Sequence, residues 1–162
     1  MPRRIAVRNG DRLPTKEKID CGASNAHDPL IDHIEDWEVC NQLSMNVIGE
    51  IVAADLGETA RLEKWAKSKN PWRRRAAIAS TTALSQKGRA HADLTLKVCA
   101  HVMTEKDAGV KKAVGWALRE ATKSDPKDVY DFLMSWRDTA ERRILNEGSQ
   151  KLAASQRKAL LD

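Results

Sequence analysis

The sequence predicts an all-α protein, built of helical hairpins stacked into a short curved solenoid. Three observations lead there. From Pro29 onward apolar residues recur at three- and four-residue spacings, with no run showing the two-residue alternation of a half-buried strand. Helix starts are marked by a capping side chain followed by proline, at Asn70-Pro71 and at Asp125-Pro126. A stretch near Trp72 is echoed about 38 residues later near Val110, inside the range of helical-hairpin repeats.

Residues 1–28 scatter Arg3, Arg4, Arg8, Arg12, Lys16 and Lys18 among Gly, Pro, Asn and Asp, and read as a basic, flexible leader with too little apolar surface to order itself. Residues 29–162 form the helical repeat domain. Its first helix is expected to run from Pro29 through Leu30, Ile31, Ile34, Trp37, Cys40, Leu43, Val47, Ile48, Ile51 and Val52, with Gly57 as its stop. Thr59 to Lys67 follows as a short helix carrying Leu62 and Trp65, and Asn70-Pro71 opens the next, from Trp72 to about Gln86, ending near Gly88. Further helices are expected over about His91 to Thr104, Val110 to Lys123, Pro126 to Trp136, Thr139 to Asn146 and Ser149 to Leu161. Turns this short force neighbouring helices to lie antiparallel.

The chain length suits one domain, and 28 Lys and Arg against 23 Asp and Glu give +5, an excess small enough that placement matters more than total. Three cysteines stand far apart with no paired spacing, so neither a disulfide framework nor a zinc cluster is indicated, and a reducing, cytoplasmic setting is expected. The basic start has no apolar core of the kind a secretory signal needs, and no stretch of about 18 uncharged apolar residues occurs, so no membrane partner is expected. His27, His33, His91 and His101 show no ligand spacing, Cys40 and Cys99 fall on apolar stripes, and no glycine-rich phosphate loop or GxSxG motif is present. No metal or organic cofactor is expected, and the protein is expected to act as a monomer.

Charge is densest at Lys64, Lys67, Lys69, Arg73, Arg74 and Arg75, with Lys111 and Lys112 at the echoed site and Arg119 beyond. In a stack of hairpins the second helix of each pair lines one concave surface, so the repetition predicts a basic groove suited to phosphates. A solvated face is the plainer reading of any single basic run. Five tryptophans stand against one Phe and one Tyr. Trp65 and Trp136 fall in apolar stripes and read as packing residues, whereas Trp37, Trp72 and Trp116 lie on the helices expected to line the groove. Trp37 and Asn41, like Lys112 and Trp116, are four apart and share a helix face, while Arg75 lies three beyond Trp72. An indole beside a guanidinium suits a grip on a sugar-phosphate backbone without base reading.

Asp36-Trp37-Glu38-Val39-Cys40-Asn41, the run from Trp65 through Asn70-Pro71-Trp72-Arg73-Arg74-Arg75 to Ile78, and Lys112-Ala113-Val114-Gly115-Trp116-Ala117-Leu118-Arg119-Glu120 resemble the DNA alkylation repair enzyme family, the HEAT-like alkylpurine DNA glycosylases. The resemblance covers about Ile31 to Leu152. It implies HEAT-like repeats and excision of cationic N3- or N7-alkylated purines from double-stranded DNA held in the concave cleft. On that resemblance Trp37 and Trp116 contact the sugar of the damaged nucleotide and Arg75 holds the adjacent phosphate. Lys69, Trp72, Arg73, Arg74, Lys111, Lys112 and Arg119 complete the expected DNA-binding set.

Asn41 departs from the pattern, standing where the family carries an aspartate. Loss of a cationic base leaves an oxocarbenium-like sugar that a carboxylate stabilises and an amide stabilises far less. Asp36 and Glu38 flank Trp37 but point along other directions of the helix. Family members also carry further helical repeats ahead of the Trp37 segment, where this chain offers the irregular leader, so an incomplete cleft is expected. The alternatives are a DNA-binding relative without turnover and a helical scaffold for an acidic protein.

Overall fold

A computed structural model describes residues 28–162; the expected leader therefore lies outside the described residues except for Asp28. Every regular element among the described residues is helical. A short helix α1 (Asp28–Asp32) is followed by a break, and α2 (Trp37–Leu43) begins anew. The single helix expected from Pro29 is thus interrupted, because Asp36 takes extended backbone geometry and its carboxylate accepts from the amides of Glu38 (2.8 Å) and Val39 (3.0 Å). Asp36 is a cap, spent on the backbone.

From α2 the chain continues without reversal through a wide π-helical turn, Ser44–Ile48, into α3 (Gly49–Ala54). Gly49 is buried where α3 meets the following repeat: a Cβ there would stand 2.7 Å from the Cβ of Ala83 and 2.8 Å from the carbonyl oxygen of Ser80. Gly57 is not the stop expected of it. The helix ends at Ala54, and Asp55, extended, caps a 3-10 turn over Leu56–Glu58 by accepting from the Gly57 amide at 3.0 Å.

The remaining elements follow the sequence reading closely: α4 (Thr59–Ala66), α5 (Pro71–Thr81) with a 3-10 extension to Ser85, α6 (Ala92–Cys99), α7 (Ala108–Ala121), α8 (Pro126–Ser135), α9 (Arg142–Gly148) and α10 (Ala154–Leu161). Asn70 caps α5 through its side-chain oxygen to the Trp72 amide at 2.9 Å, and Asp125 caps α8 through the Asp128 amide at 3.0 Å. Asp107, not anticipated, does the same for α7 at the Val110 amide, 2.9 Å away. Lys87 (φ 54°) and Gly88 (φ 75°) reverse the chain after α5, a geometry that glycine adopts without strain. Only the last two helices start later than expected.

Packing sorts the helices into two rows. One runs α2, α5, α7, α9 and the other α4, α6, α8, each helix lying against the next in its row, with α4 packed on α5 and α6 on α7 across the rows. Between the rows lie Leu62, Trp65, Ile78, Leu84, Val98, Met103, Leu118, Leu133 and Ile144, all buried. Each buried side chain of this size contributes about 1.5–3 kcal/mol by leaving water, and together they form one continuous layer between the rows. Cys40 and Cys99 are buried in it as expected, and burial pushes the Cys99 thiol up to about 12.

Candidate nucleic-acid interface

The row α2, α5, α7, α9 exposes a face on which four helices converge around a pocket of about 240 Å³. Trp37 and Asn41 of α2, Arg75 of α5, Lys112, Ala113, Trp116 and Arg119 of α7, and Glu147 of α9 line it. The i,i+4 spacings of Trp37 with Asn41 and of Lys112 with Trp116 put each pair on the pocket face, as helix geometry requires.

Arg75 organises the pocket. It is 5% exposed, and a guanidinium so buried must be hydrogen-bonded to persist. Nη2 donates to Asn41 Oδ1 at 3.1 Å and Nη1 donates to the Gly109 carbonyl oxygen, tying α2 and the first turn of α7 to α5. Neither acceptor is charged, so the cation is held without being neutralised. With an aspartate at position 41 the same contact would be an ion pair; with Asn41 the positive charge remains for an anion entering the pocket. Cys40, next door, has its thiol pushed up by burial, with Ser44 and Arg75 drawing it partly back.

Trp37 stands at the rim, 55% exposed, with Lys112 Nζ 5.6 Å from its ring centroid, within cation–π range. Trp116 is half-buried on the neighbouring helix. Arg119 is steadied by Nη1 donating to Gln150 Oε1 at 2.9 Å. Two indoles and three cations therefore surround one opening. This surface can take a flat or sugar-like group between the tryptophans with an anion beside Arg75.

Other residues expected in the interface lie elsewhere. Arg73 donates to both Asp32 oxygens at 2.6 Å, and Asp32 is held below the usual carboxylate range chiefly by that guanidinium. Arg74 clamps Glu105 through Nε at 2.6 Å and Nη2 at 3.2 Å, and its Nη1 donates to the carbonyls of Ser68 and Lys69 just after α4. Burial pushes the Glu105 carboxyl up, but Arg74 and the amides of Asp107 and Lys106 outweigh it and leave the group below its ordinary value. Lys111 sits 3.7 Å from Glu141, Lys69 is exposed away from the pocket, and Trp72 packs against the core. Trp65 is buried and Trp136 packs tilted against Phe132 with ring centroids 6.3 Å apart, the packing roles expected of both.

Glu147 is the pocket residue that sequence reasoning missed. Its only local signature is an i,i+4 ion pair with Arg143, Nε to Oε1 at 3.0 Å, which is common on exposed helices. Among the described residues no group of three or more His, Cys, Asp or Glu side chains is arranged to hold a metal ion, and no helix is long and apolar enough to cross a membrane.

Fold and pocket together define a helical-repeat protein with a cationic, tryptophan-lined pocket on its α2, α5, α7, α9 row. The chain belongs to the DNA alkylation repair enzyme family: the family model of that description matches residues 13–152, a span that begins upstream of Ile31 and contains every pocket residue. Comparison with curated proteins returns no match. Membership places the protein in DNA alkylation repair, with DNA the partner that such repair implies.

Proposed function

We propose that the protein is an alkylpurine DNA glycosylase of HEAT-like architecture. It grips double-stranded DNA in the groove of the α2, α5, α7, α9 row and releases cationic N3- or N7-alkylated purines, acting as a cytoplasmic, nucleoid-associated monomer without a metal or organic cofactor. The observation that carries this reading is Arg75, buried and fixed between Asn41 and Gly109 with its charge uncancelled, beneath a rim formed by Trp37 and Trp116.

On this reading Arg75 takes a phosphate oxygen beside the lesion, the two indoles flank the deoxyribose, and Lys112 and Arg119 hold neighbouring phosphates. An N3- or N7-alkylpurine already carries positive charge, so its glycosidic bond breaks without protonation and the base departs neutral. The protein has only to position the sugar, stabilise the oxocarbenium-like transition state and admit water. Grip on the backbone suffices, and a closed base pocket is not needed.

The experiment is release of 7-methylguanine and 3-methyladenine from methylated duplex at neutral pH. Release by the wild type that disappears with Arg75→Ala is the expected result. A second reading, a DNA-binding relative without turnover, draws on Asn41, an uncharged amide whose oxygen is engaged by Arg75. Salt-sensitive duplex binding without release would establish that reading instead.

A further inference from the structure

We infer that Glu147 supplies the carboxylate that position 41 lacks. The inference rests on the glycosylase reading and assigns a group within the same pocket. Glu147 is the one acidic side chain among the pocket's lining residues, facing a space it shares with Trp37, Asn41, Arg75 and Trp116.

Its approach depends on Gly115, the residue before Trp116. A Cβ at Gly115 would stand 2.6 Å from the Cβ of Glu147 and 3.0 Å from its Oε2, so the glutamate lies directly over the α7 backbone in a path that any other residue would close. The side chain is also held: Arg143, one turn earlier on α9, donates Nε to Oε1 at 3.0 Å. Oε2, the oxygen turned toward α7, has no hydrogen-bond partner among the described residues. One oxygen is fixed and the other is presented.

A purely structural glutamate here would tie α9 to a cation of the adjoining helix, as Glu105 ties to Arg74 and Glu141 to Lys106 and Lys111. The pocket cations of α7 are engaged otherwise, Arg119 with Gln150 and Lys112 over Trp37. The carboxylate therefore enters the pocket without neutralising the groups that hold phosphate.

In the reaction, the bond between C1′ and the purine nitrogen breaks and its electron pair leaves with the alkylpurine, which becomes neutral. Positive charge developing on the sugar is stabilised by Glu147. Water then forms the new bond to C1′, its proton passes to Glu147 and on to solvent, and an abasic site remains.

The test is single-turnover release of 7-methylguanine from methylated duplex, paired with anisotropy measurements of affinity for the same duplex unmethylated. Glu147→Gln, which keeps the side chain's shape, is expected to slow release about 100-fold while affinity stays within about threefold. Glu147→Ala, folded by circular dichroism, is expected to show the same loss. Asn41→Asp in the Glu147→Gln background is expected to restore at least about tenfold, and to gain far more there than in the wild type, because the two carboxylates do the same work. Release by both Glu147 variants at near the wild-type rate, with Arg75→Ala still inactive, would overturn this inference and leave the glycosylase reading standing. Equal gains from Asn41→Asp in both backgrounds would overturn it too. No release from any folded variant, Asn41→Asp included, would remove both.

Discussion

At the start of α5, Arg73 turns to Asp32, Arg74 turns to Glu105, and Arg75 enters the pocket; at the start of α7, Lys111 turns to Glu141, Lys112 lies over Trp37, and Ala113 stands where the echo of Arg75 falls. The first basic residue of each run has the same task, bonding to an acid on a neighbouring repeat. The second differs. Glu105, in the connection before α7, captures Arg74, whereas the corresponding connection before α9 offers Glu141, already shared by Lys106 and Lys111, and Lys112 is left to the groove. The third differs most: α5 carries an arginine that bonds to Asn41 and the Gly109 carbonyl, while α7 carries the small Ala113, and both line the pocket. A repeated motif thus specifies repeated backbone, while the neighbours on each side assign each charge to stability or to the ligand.

That contrast can be broken most severely at Arg75. Arg75→Ala removes charged donors from Asn41 and the Gly109 carbonyl, and should lower unfolding stability by about 3 kcal/mol, read by urea titration, besides abolishing release. Gly115→Ala comes next. The added methyl meets the Cβ of Glu147, an atom with no freedom to swing aside, so α9 must shift and about 2 kcal/mol is lost; the same titration reads it.

Arg74→Ala and Lys112→Ala then separate the two fates of the second basic position. Arg74→Ala should cost about 1–2 kcal/mol of stability, with duplex affinity nearly unchanged. Lys112→Ala should leave the melting curve almost unmoved and reduce the slope of log affinity against log salt by about 1. A salt slope altered by Arg74→Ala and not by Lys112→Ala would reverse the assignment. The smallest effect expected is on acid stability. Because the folded Glu105 carboxyl lies below its ordinary value, its contribution is complete above the unfolded value of about 4.3 and fades as pH falls through the lower folded value. Glu105→Gln should remove about 1 kcal/mol at most from that acid-side decline, measured as melting temperature against pH.

How much was legible in the chain follows from the distance over which each feature is decided. Asn70-Pro71 and Asp125-Pro126 announce α5 and α8 because a cap bonds to an amide two or three residues on, and Gly88 marks a reversal because positive φ is a property of the residue itself. Trp65 reads as core from its own stripe. Asp36 was as local a signal, but the apolar spacing continues across it and masked the break at Trp37.

An all-α repeat, most helix positions and several core residues were readable along the chain, and of the eleven residues expected in the interface Trp37, Asn41, Arg75, Lys112, Trp116 and Arg119 line the pocket, whereas Lys69, Trp72, Arg73, Arg74 and Lys111 do not. Stacking decided that Arg73 and Arg74 pair with acids on neighbouring elements, that Arg75 bonds to uncharged acceptors, and that Glu147 lines the same pocket. The bonds that settle the fates of these arginines join residues 31 to 41 positions apart, across neighbouring repeats. Helix periodicity places a side chain on a face, but only the stacking of repeats chooses its partner.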